Sequence, residues 1–134
     1  MERTYATPLL DKLGIRPGMR VALISIEDDG GPFRRLVAER TSDLTEGWPL
    51  PDTDVVLLGA DSTAELGVLA ELAARIRPNG AIWVVSRKGK GATLRDFEVI
   101  AAAKASGLVD NKVASFSDTH TALRLVIPLA LRPK

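Results

Sequence analysis

The chain has 134 residues, of which 46% are hydrophobic and 26% charged, values that suit one domain with a real buried core. Its 18 basic and 17 acidic side chains leave a net charge of +1, which argues against nucleic-acid or membrane binding by bulk charge. It has no cysteine, which excludes disulfides, zinc–thiolate sites and thiol nucleophiles.

Met1-Glu2-Arg3-Thr4-Tyr5 has no apolar run behind it, so no secretion signal is read there. Apolar runs such as 55–60 are too short to span a bilayer, and the chain reads as cytoplasmic. Residues 4–15 carry Leu9, Leu10 and Leu13 at helical spacing, with Gly14 as the stop and Arg16-Pro17-Gly18 as a turn. Residues 20–26 then form an almost wholly apolar run, as a strand buried on both faces would. Pro32 suits the first turn of a helix running to Arg40, with Phe33, Leu36 and Val37 on one face.

The polar segment 41–53 has room for one short strand, and 54–60 is a second buried strand. Ser62 or Thr63 caps a helix carrying Leu66, Leu69, Leu72, Ala73 and Ile76 inward, ending at Pro78-Asn79-Gly80, with Glu65 in its first turn. Residues 81–86 form a third buried strand, with Trp83 in the core. A helix over 94–106 places Phe97, Ile100 and Ala101 inward and stops at Gly107. Two strands, 108–116 and 121–130, close the chain around Ser117-Asp118-Thr119-His120. This alternation predicts a single three-layer α/β domain, 1–134, with a mainly parallel sheet and an antiparallel C-terminal strand. The short last connection makes its two strands antiparallel.

Two loops carry the chemistry. Glu27-Asp28-Asp29-Gly30 follows the first strand, where ligands of such sheets sit. It reads either as a cluster for hydroxyls or amines or as a solvated helix start stabilised by the dipole. Three adjacent carboxylates do not converge easily on one ion, so no metal is assigned. Arg87, Lys88 and Lys90, with Gly89, Gly91 and Arg95, form a basic loop between a strand and a helix. That loop reads as an anion contact or as an exposed loop, and it lacks P-loop spacing. Both loops should open on one sheet edge and can pair with each other. His120 beside Asp118 reads as a hairpin-turn histidine, since no G-x-S-x-G elbow supplies a nucleophile, and no catalytic residue is assigned. Trp48 beside Pro49 reads as cover for an open sheet edge or as a ring that stacks on a base.

Three motifs carry a resemblance. Leu13-Gly14-Ile15-Arg16-Pro17-Gly18-Met19-Arg20-Val21 resembles the approach to the first strand of class I methyltransferases. Ile76-Arg77-Pro78-Asn79-Gly80-Ala81-Ile82-Trp83-Val84 resembles their x-Pro-x-Gly step into a later strand. Ala105-Ser106-Gly107-Leu108-Val109-Asp110 resembles the approach to their antiparallel tail. Nearly the whole chain resembles DUF3052-like proteins, a short bacterial family of unknown function with cut-down methyltransferase-like domains. The resemblance implies a truncated methyltransferase-like Rossmann fold. It also implies glycines directly after the first strand and an acidic residue at the end of the second strand that holds ribose hydroxyls. Here Glu27-Asp28-Asp29 replaces the glycines, and Asp43 is the acidic residue near the second place. These departures count against S-adenosylmethionine as a cofactor.

The expected function is a non-catalytic, methyltransferase-like binding or assembly module. One alternative keeps a reduced site for S-adenosylmethionine or another small ligand, with Glu27, Asp28 and Asp29 facing Lys88 and Lys90. Another is weak phosphate or nucleic-acid contact through 87–95, and the near-zero net charge counts against nucleic acid. The expected partners are a second copy meeting this one at a sheet edge, or an unidentified protein.

Overall fold

The computed structural model describes residues 7–132. The first helix, α1 (Thr7–Leu13), ends at Gly14, whose φ of +74° turns the chain back. The part of this helix expected before Thr7 lies outside the described residues. Next come β1 (Arg20–Ile24), α2 (Pro32–Arg40), β2 (Asp43–Glu46) and β3 (Thr53–Gly59). A 3-10 turn (Ala64–Val68) leads into α3 (Leu69–Ala73) and β4 (Ile76–Arg87). The chain finishes with α4 (Asp96–Ala105), β5 (Val109–Ser115), β6 (His120–Val126) and a last 3-10 turn (Leu129–Leu131).

The six strands form one sheet in the order β2-β1-β3-β4-β6-β5. β2, β1, β3 and β4 are parallel, and β6 runs antiparallel to both of its neighbours. The expected α/β architecture is therefore present, with β2 and β5 as its open edges. Alternate residues of each strand feed two cores. Val21, Leu23, Leu57 and Trp83 meet α1 and α2 on one face. Ala22, Val56, Ile82 and Leu125 meet α3 and α4 on the other. Trp83 is fully buried, and its indole N–H donates to the Leu13 carbonyl at 3.0 Å, which ties α1 to the centre of the sheet. Phe33 and Phe116 pack edge to face beside it, with ring centroids 4.9 Å apart.

Four expectations about these elements are corrected. β1 stops at Ile24, because Ser25 turns out of the strand with φ +56°. The helix expected through Ile76 is a 3-10 turn followed by five-residue α3, and Ile76 opens β4 by pairing with Thr53. Residues 77–80 are then skipped before Val55 pairs with Ala81. Gly80 permits this bulge, since a Cβ there would lie 2.8 Å from the Asp54 carbonyl oxygen. β6 ends at Val126, ahead of Pro128.

The fourth correction concerns α4. Phe97, Ile100 and Ala101 do share one face, but that face points to solvent, and Val99 and Ala103 point into the core. Leu108, Leu123 and Leu125 already crowd that side of the sheet, so the smaller face of α4 fits against them. Trp48, expected over the open edge, follows β2 and remains 43% exposed. Among the described residues no helix is long and apolar enough to cross a membrane.

Candidate functional site

The C-terminal ends of β1, β2, β3 and β4 meet along one edge of the sheet, where parallel α/β sheets present their ligand clefts. β1 and β3 approach very closely there: a Cβ on Gly59 would lie 2.1 Å from the Ser25 carbonyl oxygen. Only glycine lets the two strand ends sit side by side. Three connected hollows open along this edge.

The first hollow, of 300 Å³, lies between β1 and β2 and is lined by Leu23, Ser25, Asp28, Gly31, Arg34 and Glu46. Asp28 lines both this hollow and the third one. Its two carboxylate oxygens accept the backbone N–H groups of Phe33 and Arg34, both at 2.9 Å. Those are amides of the first turn of α2, which has no intrahelical partners for them. Gly30 and Gly31, both at positive φ, bring the chain round so that Asp28 can reach them. Glu46 stands at the end of β2, and Arg34 Nη1 reaches both of its oxygens, at 3.1 and 3.3 Å.

The second and third hollows, of 210 and 340 Å³, lie on either side of Glu27. Glu27 Oε2 accepts from Arg87 Nη2 at 2.6 Å, and Oε1 accepts from His120 Nε2 at 2.7 Å. A carboxylate only accepts, so Nε2 carries the proton, and in the neutral ring Nδ1 accepts the Thr119 hydroxyl at 2.8 Å. The hydrogen bond from His120, helped by Arg87, holds the Glu27 carboxyl below the usual glutamate range. Asp61 fixes the other side of Arg87, accepting its backbone N–H at 2.9 Å.

Glu27, Asp28, Asp29 and Arg87 all line the 340 Å³ hollow, although their side chains hold different partners. Glu27 and Arg87 meet, as two loops on one edge should. Asp28 turns to α2, and Asp29 is exposed. No group of three metal-ligating side chains converges among the described residues. Lys88 points away from the acidic loop and donates to Ser115 Oγ at 2.9 Å, and Lys90 is exposed in a 3-10 turn (Gly89–Gly91). The arrangement expected for a reduced site, with Lys88 and Lys90 facing the acidic loop, gives way to Arg87 alone. Asp43 sits at the start of β2 and pairs with Arg20 at 3.0 Å, so the acidic residue at the strand's end is Glu46. Sequence reasoning missed Glu46 and the part played by His120. Glu46 is followed by Gly47 at φ +112°, a turn signal that could have marked the end of β2.

Searches against protein-family models and curated proteins return no match to the chain. Solved structures do match it. A proposed methyltransferase from Thermoplasma acidophilum aligns over 95% of this chain and 77% of its own, with a TM-score of 0.63 at 11% identity. This is the fold of the methyltransferases. A SAM-dependent methyltransferase from Aquifex aeolicus aligns over 90% and 88%, with a TM-score of 0.61 at 14% identity. PigF, solved with SAH, aligns over 92% and 58%, with a TM-score of 0.60 at 11% identity.

Proposed function

We propose that this chain is a methyltransferase-fold domain that serves binding or assembly and does not transfer methyl groups, in keeping with the DUF3052-like resemblance of its motifs. The observation that carries this reading is the carboxylate of Asp28 on the amides of Phe33 and Arg34. A helix N-terminus at the end of the first strand is where this class of sheet meets the polar groups of a ligand. Here a side chain of the protein already takes that place with negative charge, which repels an incoming carboxylate or phosphate.

A second reading rests on Glu46. It stands at the end of β2 in the 300 Å³ hollow, where the resemblance puts the group that accepts ribose hydroxyls. Its bond to Arg34 is an exposed ion pair of modest strength, which a ligand could displace.

Calorimetric titration with S-adenosylmethionine, S-adenosylhomocysteine, ATP and inorganic phosphate separates the two. The first reading expects no saturable heat from the adenosyl ligands. Saturable binding that Glu46→Gln weakens supports the second, and methyl transfer to any acceptor overturns the first. Heat from phosphate or ATP alone points to the basic loop around Arg87.

A further inference from the structure

We propose that the outer face of α4 is the two-fold contact of a homodimer. Phe97, Ile100, Ala101 and Lys104 recur at the three- and four-residue spacing that lines one side of a helix, and all four are exposed. Phe97 is 70% exposed, and Ile100 on the same stripe is 38% exposed. Beside this stripe runs a groove of 470 Å³ lined by Ile100, Lys104, Leu108, Val109, Pro128 and Leu131. One surface therefore carries both a projecting ring and an apolar groove, the self-complementary pattern that a two-fold contact requires.

The charges select the orientation. Asp96 and Glu98 lie in the first turn of α4 and Lys104 in the last. Two copies of α4 packed antiparallel, with the axis between Ile100 and Ala101, set each acidic first turn against the basic last turn of the other. Parallel packing would set like against like. The same axis brings Phe97 of one copy opposite Lys104 of the other, where the lysine stem and ammonium can cover the ring, and aims the ring at the groove beside it. Ala101 and Ala105, small and exposed, let the helix axes come close.

A second copy could also add to a sheet edge, but β2 offers only four residues for pairing. The proposed contact uses none of the residues that line the cleft of Glu27 and Glu46, so it stands or falls independently of any ligand there.

The test is sedimentation equilibrium of the full chain from about 10 μM to 1 mM, the range of modest interfaces. The wild type is expected to shift from monomer to dimer. Phe97→Glu, a change at an exposed position that leaves the circular dichroism unaltered, should weaken the dimer by about tenfold or more. Lys104→Glu should weaken it similarly, and Asp96→Lys added to Lys104→Glu should restore it. A protein monomeric throughout overturns the proposal. So does a dimer indifferent to Phe97→Glu, or a loss at Lys104→Glu that Asp96→Lys fails to rescue.

Discussion

Arg34, on the first turn of α2, holds both carboxylate oxygens of Glu46 at the end of β2, at 3.1 and 3.3 Å. The pair lines the 300 Å³ hollow between β1 and β2. Both side chains are about half exposed, so the pair adds little to stability, on the order of 0–1 kcal/mol. Arg34→Ala should therefore leave the thermal midpoint within about 2 °C of the wild type. It should also strengthen any adenosyl binding seen by calorimetry, because Glu46 is then free. Weaker binding would mean that Arg34 itself contacts the ligand.

Asp28 has the opposite balance. Removing it leaves the N–H groups of Phe33 and Arg34 without their acceptor at the start of α2. Asp28→Ala should cost about 1 kcal/mol, as loss of a capping side chain commonly does, read as a lower midpoint in urea. If Asp28 also keeps ligands out, this weakened variant should be the one that binds phosphate.

The clamp on Glu27 gives a prediction in pH. Its folded pKa lies below the ordinary 4.5, chiefly through the hydrogen bond from His120. A depressed carboxylate stabilises the fold above its unfolded pKa, and that contribution fades as pH falls through the folded value. Wild type should melt above Glu27→Gln at pH 7, and the two melting curves should converge below about pH 4.5. A gap that stays constant through that window would show that the carboxylate charge is irrelevant.

Gly59→Ala would push a methyl group against backbone at Ser25, 2.1 Å from its carbonyl oxygen. Gly59 cannot move away without breaking its pairing with Val85, and a loss of about 1–3 kcal/mol is expected from denaturant unfolding. Gly67→Ala is the control. Nothing lies within 4 Å of a Cβ there, so that variant should be neutral or more stable.

The order of elements was legible because buried parallel strands are continuous apolar runs, which little else imitates. The meeting of the acidic and basic loops was legible because parallel strands open their loops on one edge, but the cation expected there was Lys88 or Lys90, not Arg87. Ser62, one of the two expected caps, accepts the Glu65 N–H at 3.3 Å, although the turn it starts is 3-10. What failed was orientation. α4 has apolar residues on both faces, so periodicity shows a face without saying which way it turns. Ile76 continues the spacing of Leu69 and Leu72, and only its pairing with Thr53 makes it a strand residue. Glu46 was hidden because β2 has four residues and no buried run to fix its register. His120 reaches Glu27 across 93 residues, a distance that no local pattern reports.

The bond from Trp83 to Leu13 closes a loop of 70 residues. During synthesis the segment of α1 is made long before its acceptor surface exists. Isolated helices shorter than about a dozen residues do not hold their shape in water. Helix α1 must wait for β4 to pair with β3 before it can dock, which makes its docking a late step in folding. In the finished protein the same order runs in reverse: release of α1 uncovers Trp83 without unpairing a strand. Its amides should therefore exchange with solvent sooner than those of the central sheet.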